Sequence, residues 1–155
     1  MSANPVLSAA IPMNPDQQLI RQWQANPGVV EVTSNPFAVA LGTQLEQVDA
    51  TEGRVALRFN PGPLFIQGAG VLQGGAITAM LDFAMAFATL AQIQDGQSCA
   101  SICLTTSFLR PATAGRLKAV GQVTKRGRQI VFASAELFNE SDVLVASATS
   151  TLAVG

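Results

Sequence analysis

The 155-residue sequence contains no histidine and no tyrosine. The absence of histidine excludes Ser-His-Asp and Cys-His catalysis, a histidine general base and metal sites that depend on histidine ligands. Acid–base chemistry in this chain must therefore use carboxylates, lysine or cysteine, and no metal centre is expected.

Charge is also scarce in this sequence. Charged residues make up 12% of the chain, against about 25% in an average domain. This shortage predicts that part of the surface is hidden in an interface between subunits. The formal net charge of −1 provides no basic surface for a polyanion, so DNA and RNA are not expected as partners.

Cysteine occurs only twice, as Cys99 and Cys103, and the two match no metal-binding spacing. The first residues, MSANPVLSAAIP, lack the basic region and the apolar run of a signal peptide. We therefore expect free thiols and a cytoplasmic protein, since disulfides are rare in a reducing compartment.

Residues 71–93, VLQGGAITAMLDFAMAFATLAQI, form a long apolar run that carries one charge, Asp82. A carboxylate in the centre of a membrane span costs about 2.5–3.5 kcal/mol, and no lysine or arginine flanks the run. The run therefore predicts a helix from about Gly75 to Ala91 in a soluble protein, and a membrane is not expected as a partner. Because the run is apolar on every side, we expect the fold to enclose this helix.

The rest of the sequence predicts an α+β domain preceded by an N-terminal arm. Residues 1–35 are expected to hold a loose arm and a short helix from Asp16 to about Ala25, and residues 36–155 the main domain. The predicted strands are residues 37–49, 53–60, 100–109, 115–125, 129–139 and 143–153. A turn at Thr51–Gly53 predicts a hairpin of the first two strands, and the four late strands predict an antiparallel meander. One apolar helix among so many strands predicts a strongly curved antiparallel sheet wrapped around that helix.

The start of the apolar helix has the chemistry of an oxyanion site. Exposed N–H groups at a helix N-terminus favour an oxyanion, and Gly74 and Gly75 lack the Cβ that would keep a carbonyl at a distance. Alternatively, the two glycines only allow tight packing where the helix begins. Asp82 also has two interpretations, a buried acid held by hydrogen bonds or by an ion pair at a subunit interface, or a nucleophile or general base.

Three segments together resemble the hotdog-fold acyl-CoA thioesterases, and most closely their phenylacetate-pathway (PaaI-like) branch. They are GVLQGGAITAMLDFAMAFA, ASICLTTSFLRPA and GQVTKRGRQIVFASAELFNESDVLVASATSTLAV. The branch typically shows G-x-x-H-G-G with an Asp seven residues beyond the last glycine, and the spacing from Gly75 to Asp82 matches it. The F-x-R-P-A sequence at Phe108–Ala112 and the Gly127-Arg128 turn also match. The motif histidine is replaced by Gln73.

This resemblance implies a hotdog fold over about residues 36–154 and hydrolysis of an aryl- or fatty-acyl-CoA to the free acid and CoA. No cofactor is implied, because CoA is part of the substrate. In such enzymes the N–H of the glycine at the Gly74 position polarises the thioester carbonyl. An acid at the Asp82 position, from the partner subunit, attacks that carbonyl or activates water. A homodimer or a dimer of dimers is therefore expected.

The resemblance also implies roles for neighbouring residues. Gln67 could orient the carboxylate or the water, Ser101 could position water with Thr105 nearby, and Gln73 could form hydrogen bonds but cannot titrate. The residues expected to bind substrate are Gly75, Phe83, Thr105, Arg110, Arg126 and Arg128. The KRGR sequence at 125–128 could equally be a solvated hairpin turn. An acyl tunnel could be lined by Leu64, Phe65, Ile66, Met80, Phe83 and Met85, although most of these are expected in the core or a dimer contact.

Three alternative functions remain open on the sequence. The loss of the motif histidine at Gln73 is compatible with a non-catalytic protein that binds acyl-CoA, whereas the retained Asp82 favours an enzyme. A hotdog dehydratase or hydratase usually requires a catalytic histidine, which this chain lacks. A structural interaction module would use the apolar helix only for dimerisation.

Overall fold

The computed structural model describes residues 12–155. The loose arm predicted before the helix at Asp16 therefore lies mostly outside the described residues. The helices of the described part are α1 (Pro15–Ala25), α2 (Pro36–Ala40) and α3 (Gly74–Gln92). The strands are β1 (Val30–Glu31), β2 (Gln44–Asp49), β3 (Arg54–Phe59), β4 (Cys99–Phe108), β5 (Leu117–Arg126), β6 (Ile130–Phe138) and β7 (Leu144–Val154).

The strand predicted at 37–49 is wrong in its first half, where the chain forms the short helix α2. Pro36 occupies the first turn, and the side chain of Asn35 accepts hydrogen bonds from the N–H groups of Phe37 and Ala38. An asparagine cap followed by proline is a strong helix start. This local capping outweighs the preference of Phe37 and Val39 for strands, so the strand begins only at Gln44.

The hairpin predicted around Thr51–Gly53 is confirmed. Strands β2 and β3 pair antiparallel, with Asp49 opposite Arg54. Gly53 closes the turn at a φ of 65°, a backbone conformation that glycine adopts without a steric penalty. The predicted short helix is also confirmed, as α1.

The strands form one antiparallel sheet in the order β1-β2-β3-β5-β6-β7-β4. The meander prediction is confirmed for β5, β6 and β7 but is wrong for β4, which pairs with β7 at the edge of the sheet. The apolar pattern of a strand shows which face is buried, but it does not show which strand lies beside it. Strand β4 follows α3 in the chain and therefore had no local turn to define its neighbour.

Helix α3 lies in the concave face of the sheet and contacts β2 to β7. Gly121 of β5 allows this close packing, because a Cβ there would lie 2.0 Å from the carbonyl oxygen of Ala84. The expected α+β arrangement, a curved antiparallel sheet around a central apolar helix, is confirmed. By length and composition α3 could also span a membrane, but most of its side chains are buried against the sheet.

The prediction that α3 is enclosed on every side is wrong for one face. The residues on this open face are partly or fully exposed: Gly75, Thr78, Ala79, Asp82, Phe83 and Ala86. They recur every three or four positions, so they form one stripe along the helix. The sheet of a single chain therefore covers only part of the helix.

Candidate active site

The first turn of α3 presents unpaired N–H groups. Gln73 is the N-cap residue and makes no side-chain hydrogen bond to this turn. Its own N–H donates to the carbonyl oxygen of Phe65 over 2.7 Å, which holds the preceding loop against the helix start. Within the part of the chain that the structure describes, no hydrogen bond uses the N–H of Gly74 or Gly75. Two backbone donors are thus available to a carbonyl oxygen at the positive end of the helix dipole.

The two glycines differ in what surrounds them. A Cβ on Gly74 would lie 3.2 Å from Cζ of Phe108, so packing restricts this position. A Cβ on Gly75 would meet no atom within 4 Å in the described chain, and Gly75 is exposed. Tight packing therefore explains why residue 74 is a glycine. No contact within the described chain requires a glycine at Gly75.

Asp82 lies two turns further along the open face of α3. The hydroxyl of Ser101, on β4, donates a hydrogen bond of 2.6 Å to Asp82 Oδ1. Asp82 is partly buried, and among residues 12–155 no lysine or arginine forms an ion pair with it. The structure therefore brings two predicted site residues, Asp82 and Ser101, into direct contact.

The inward side of β4 follows α3 from its first turn to Ala86. Besides the Ser101–Asp82 contact, Thr106 is hydrogen-bonded to Thr78 over 3.2 Å, and Phe108 packs against Gly74. Our sequence interpretation missed Thr78 and Thr106. The position of Thr78, one helical turn before Asp82, was a usable signal for the open face.

Thr105 does not join this arrangement. A β-bulge between Ser101 and Cys103 shifts the alternation of β4, so Thr106 faces the helix and Thr105 faces the outside of the sheet. There Thr105 lines a cleft of about 440 Å³ with Ser134 and Thr149. A strict two-residue period cannot reveal such a bulge in advance.

Gly74 and Asp82 are too far apart to act on one atom within a single chain. They are separated by eight residues of α3, which is about 12 Å along the helix axis. One thioester carbonyl could not contact both groups of the same molecule. The two halves of the predicted chemistry must therefore come from different chains if they act together.

Gln67 forms hydrogen bonds within its own loop. Its Oε1 accepts a hydrogen bond of 2.8 Å from the N–H of Ala69, and its backbone N–H donates to Val71 over 2.8 Å. The side chain is exposed and is not bonded to Asp82. Its amide nitrogen forms no hydrogen bond within residues 12–155 and is the part of Gln67 that a ligand could use.

Arg110 lies beside the helix start. Its guanidinium donates to the carbonyl oxygen of Leu144 over 2.8 Å. Together with Gly74 and Phe108 it lines a cleft of about 360 Å³ whose other walls are mainly apolar. The structure thus brings Arg110 and Gly74 to the same cleft.

Arg126 and Arg128 are exposed at the turn between β5 and β6, at the other end of the sheet. The helix start is bonded to the segment before β5, through the N–H of Leu72 and the carbonyl of Ala112. The ten residues of β5 then extend over about 30 Å. One chain therefore does not bring these two arginines to its own Gly74.

The apolar residues considered for an acyl tunnel fall into two groups. Met80 and Met85 are fully buried in the core, so the core interpretation is confirmed for them. Leu64 is 83% exposed, while Phe65, Ile66 and Phe83 are partly buried. Only this second group faces a surface that a substrate could reach.

Cys99 is close to the site but is chemically inert. Burial, together with the nearby charges of Asp82 and Asp16, raises the pKa of the Cys99 thiol to about 12. Its Sγ lies 3.7 Å from the carbonyl oxygen of Ala86. The thiol therefore stays protonated at neutral pH, whereas cysteine nucleophiles act as thiolates.

An apolar helix in the concave face of an antiparallel sheet is the arrangement of the hotdog fold, and the glycines at its start and the acid on its open face are the groups expected of a thioester hydrolase. The family model of the thioesterase superfamily matches residues 69–146. The chain belongs to the thioesterase superfamily. The predicted fold and enzyme class, a thioester hydrolase, are confirmed.

Individual relatives agree with this assignment. The chain is 29% identical over 143 residues to the medium/long-chain acyl-CoA thioesterase YigI of Salmonella typhimurium, which covers 83% of this chain and 91% of that protein. A phenylacetic acid degradation-related protein from Ralstonia eutropha is 31% identical, with a TM-score of 0.76 over 90% of this chain and 99% of that one. The PaaI protein of Escherichia coli, 22% identical, shares the fold with a TM-score of 0.72 over 91% and 94% of the two chains. The predicted resemblance to the phenylacetate-type branch is confirmed.

Proposed function

We propose that this protein hydrolyses acyl-CoA thioesters to the free acid and CoA, in active sites that each combine two chains. The observation that carries the proposal is the open face of α3. It presents the Asp82 carboxylate, held by Ser101 at 2.6 Å, and the N–H groups of Gly74 and Gly75, which form no hydrogen bond in the described part of the chain. The YigI relative, a medium/long-chain acyl-CoA thioesterase by name, supports the choice of acyl-CoA as substrate.

The reaction needs an oxyanion donor and a base or nucleophile. The N–H of Gly74 would donate to the thioester carbonyl oxygen and stabilise the negative charge that develops there, an effect worth about 3–4 kcal/mol in measured enzymes. Asp82 of the partner subunit would attack the carbonyl carbon or remove a proton from the attacking water. The C–S bond then breaks, and the CoA thiolate leaves and takes up a proton to become the thiol. On the water route the free acid forms in this step. On the nucleophile route Asp82 is left as a mixed anhydride, which a water molecule then hydrolyses to the free acid and the Asp82 carboxylate.

Two features support a homodimer as the active form. Gly74 and Asp82 lie about 12 Å apart along one helix, so one chain cannot complete the site. Strand β4 is an edge strand of ten residues that contains no lysine or proline and exposes Ile102 and Phe108. A long exposed edge of this kind is normally covered by another strand, and a second β4 can pair with it antiparallel.

Pairing of the two β4 strands would also create a binding site for the CoA phosphates. Arg110 and the cleft beside Gly74 lie at one end of the sheet, and Arg126 and Arg128 lie at the other. When two β4 strands run antiparallel, the far end of one chain comes to the near end of the other. Arginines of both chains could then hold the phosphates of one CoA.

A non-catalytic acyl-CoA-binding protein is the second candidate. It is favoured by Gln73, which stands where the branch carries histidine and whose exposed side chain caps nothing in the described first turn. Such a protein would bind acyl-CoA by the same contacts without turnover. Asp82 and its Ser101 partner would then have no chemical task.

Thiol release from a panel of short, medium and long fatty-acyl-CoAs and aryl-acyl-CoAs separates the two candidates. Turnover of any member supports the enzyme. Micromolar binding of acyl-CoA without turnover of any member would establish the second candidate instead.

The two-chain site is tested by mixing two inactive variants, Asp82→Asn and Gly75→Val, after unfolding and refolding them together. In a symmetric dimer, half of the molecules would be mixed and each would hold one intact site, so about a quarter of wild-type activity returns. Recovery requires that the two groups act across the interface. If the mixture stays inactive while light scattering shows dimers, the two-chain site is wrong.

A further inference from the structure

Four phenylalanines form a chain of contacting rings beside Asp82. The ring of Phe37 lies 5.9 Å from that of Phe83 and 6.4 Å from that of Phe65, and Phe83 lies 6.4 Å from Phe87. We call Phe37, Phe65, Phe83 and Phe87 the aromatic cluster. Phe87 is buried, Phe65 and Phe83 are partly buried, and Phe37 is 48% exposed. The cluster therefore extends from the core to the surface.

The aromatic cluster adjoins two groups of one chain that the proposed dimer assigns to different active sites. Phe83 follows Asp82 directly on α3, and the carbonyl oxygen of Phe65 accepts the N–H of Gln73, the residue before Gly74. The cluster contains no charged side chain, and Leu64 next to it is 83% exposed. An apolar surface thus begins at the carboxylate and leads away from it.

Phe37 is half exposed, and its ring packs against those of Phe65 and Phe83. Helix α2 is capped by Asn35, whose side chain bonds to the N–H of Phe37 itself. The following residue, Ala38, is completely buried and anchors the helix. Val39 is also exposed, at 54%, but it points about 200° around α2 from Phe37. The ring of Phe37 therefore lies beside Phe83, and a valine of similar exposure on the same helix points away from it.

We propose that Phe37 is a specificity-determining residue whose ring contacts the distal part of the acyl chain and selects medium or long chains. The proposal rests on the proposed function, since it places the acyl group of the same substrate. A short acyl group bound between Gly74 of one chain and Asp82 of the other ends before the ring. A longer one passes over Phe83 of the chain that supplies Asp82 and reaches Phe37 of that same chain, and each methylene that it buries there raises affinity about fourfold.

The kinetic test compares Phe37→Ala with Val39→Ala on acetyl-CoA and dodecanoyl-CoA. Phe37→Ala should lower kcat/KM for dodecanoyl-CoA at least about tenfold and change the value for acetyl-CoA less than twofold. Phe37→Leu should recover most of the loss, and Val39→Ala should match wild type on both substrates. Equal losses on both substrates in Phe37→Ala would overturn the proposal.

Binding and oligomeric state separate this proposal from the proposed function. Thioether analogues of CoA with short and long alkyl chains cannot be hydrolysed, so their Kd values report the subsite alone. A chain-length preference that disappears in Phe37→Ala supports the subsite even if wild type hydrolyses nothing. If Phe37→Ala instead dissociates the dimer in light scattering, the ring is a contact with the partner subunit and the proposal is wrong.

Discussion

The hydroxyl of Ser101 donates a hydrogen bond of 2.6 Å to Asp82 Oδ1 and joins the edge strand β4 to the central helix α3. This bond orients the carboxylate, and a hydrogen bond to a charged group contributes about 1.5–3 kcal/mol. We therefore expect Ser101→Ala to lower kcat about tenfold or more, with little change in KM. Ser107→Ala is the matched control, because Ser107 lines the outer cleft on the same strand. Equal effects of the two variants would contradict a positioning role for Ser101.

Replacement of the acid itself should have a larger effect. Asp82→Asn keeps the size of the side chain and can still accept the bond from Ser101, but it removes the nucleophile or base. We expect kcat to fall at least about a hundredfold, the lower range for acid–base catalysis, with circular dichroism and oligomeric state unchanged. Wild-type turnover in this variant would remove Asp82 from the mechanism.

Two glycines should respond in opposite ways to the same added methyl group. A Cβ on Gly75 meets nothing within 4 Å, whereas a Cβ on Gly121 would lie 2.0 Å from the carbonyl oxygen of Ala84. Gly75→Ala should keep or raise the free energy of unfolding, by up to about 1 kcal/mol, and should lower activity because the methyl group stands beside the Gly74 N–H. Gly121→Ala should lower the free energy of unfolding by about 1–3 kcal/mol or more.

Urea unfolding measures the stability of the two variants, and thiol release measures their activity. Full activity in a well-folded Gly75→Ala protein would mean that no substrate approaches this side of the first turn. A stable Gly121→Ala protein would contradict the close packing of β5 on α3.

Replacement of Gln73 should change kcat/KM and leave the stability of the fold unchanged. Its side chain is exposed and makes no capping hydrogen bond, so Gln73→Ala and Gln73→His should both unfold at the wild-type denaturant concentration. Because the chain contains no histidine, the Gln73→His variant should gain a step near pH 6.5, the usual imidazole pKa, in its kcat/KM profile. A profile that keeps the wild-type shape would show that this side chain does not reach the reacting atoms.

Cys99 should resist thiol reagents in the folded protein. Its pKa of about 12, raised by burial and by the charges of Asp82 and Asp16, leaves almost no thiolate at pH 8. In a Cys103→Ser variant we expect no reaction with a disulfide reagent until urea is added, when Cys99 becomes reactive. Rapid labelling of the folded variant would contradict the buried placement of this thiol.

The same shift has a consequence for stability at high pH. The folded-state pKa lies above the ordinary value of 9.0, so the contribution of the thiol to stability is complete below pH 9. It is lost as pH rises from about 9 toward 12, because the unfolded chain releases the proton first. Cys99→Ala should flatten this part of the stability profile.

Much of the fold could be predicted from residue patterns. The apolar run predicted α3 within one residue at each end, and the turn at Thr51–Gly53 predicted the β2–β3 hairpin. These features depend on residues that lie only a few positions apart in the chain, so local patterns in the sequence are enough to predict them. The spacing from Gly75 to Asp82 is likewise a property of one helix.

Other features depend on distant contacts and could not be predicted in this way. The position of β4 beside β7 is decided by how the chain returns after α3. The inward position of Thr106 in place of Thr105 follows from a bulge that interrupts the strand period. Helix α2 is a different case, since its signal is local: Asn35 and Pro36 favour a helix start, while Phe37 and Val39 favour a strand, and the two preferences conflict.

By itself, the sequence determined the chemical groups available to this protein. It contains no histidine, one acid in an apolar helix and two glycines at the start of that helix. Only the tertiary structure decided which of these groups are in contact. It brings Ser101 within hydrogen-bond distance of Asp82 and leaves one face of α3 partly exposed. It also holds Arg110 and the pair Arg126 and Arg128 at opposite ends of the sheet. The reason is physical: residue types and local spacing follow from the covalent chain, whereas contacts between distant segments depend on how the helix packs in the sheet.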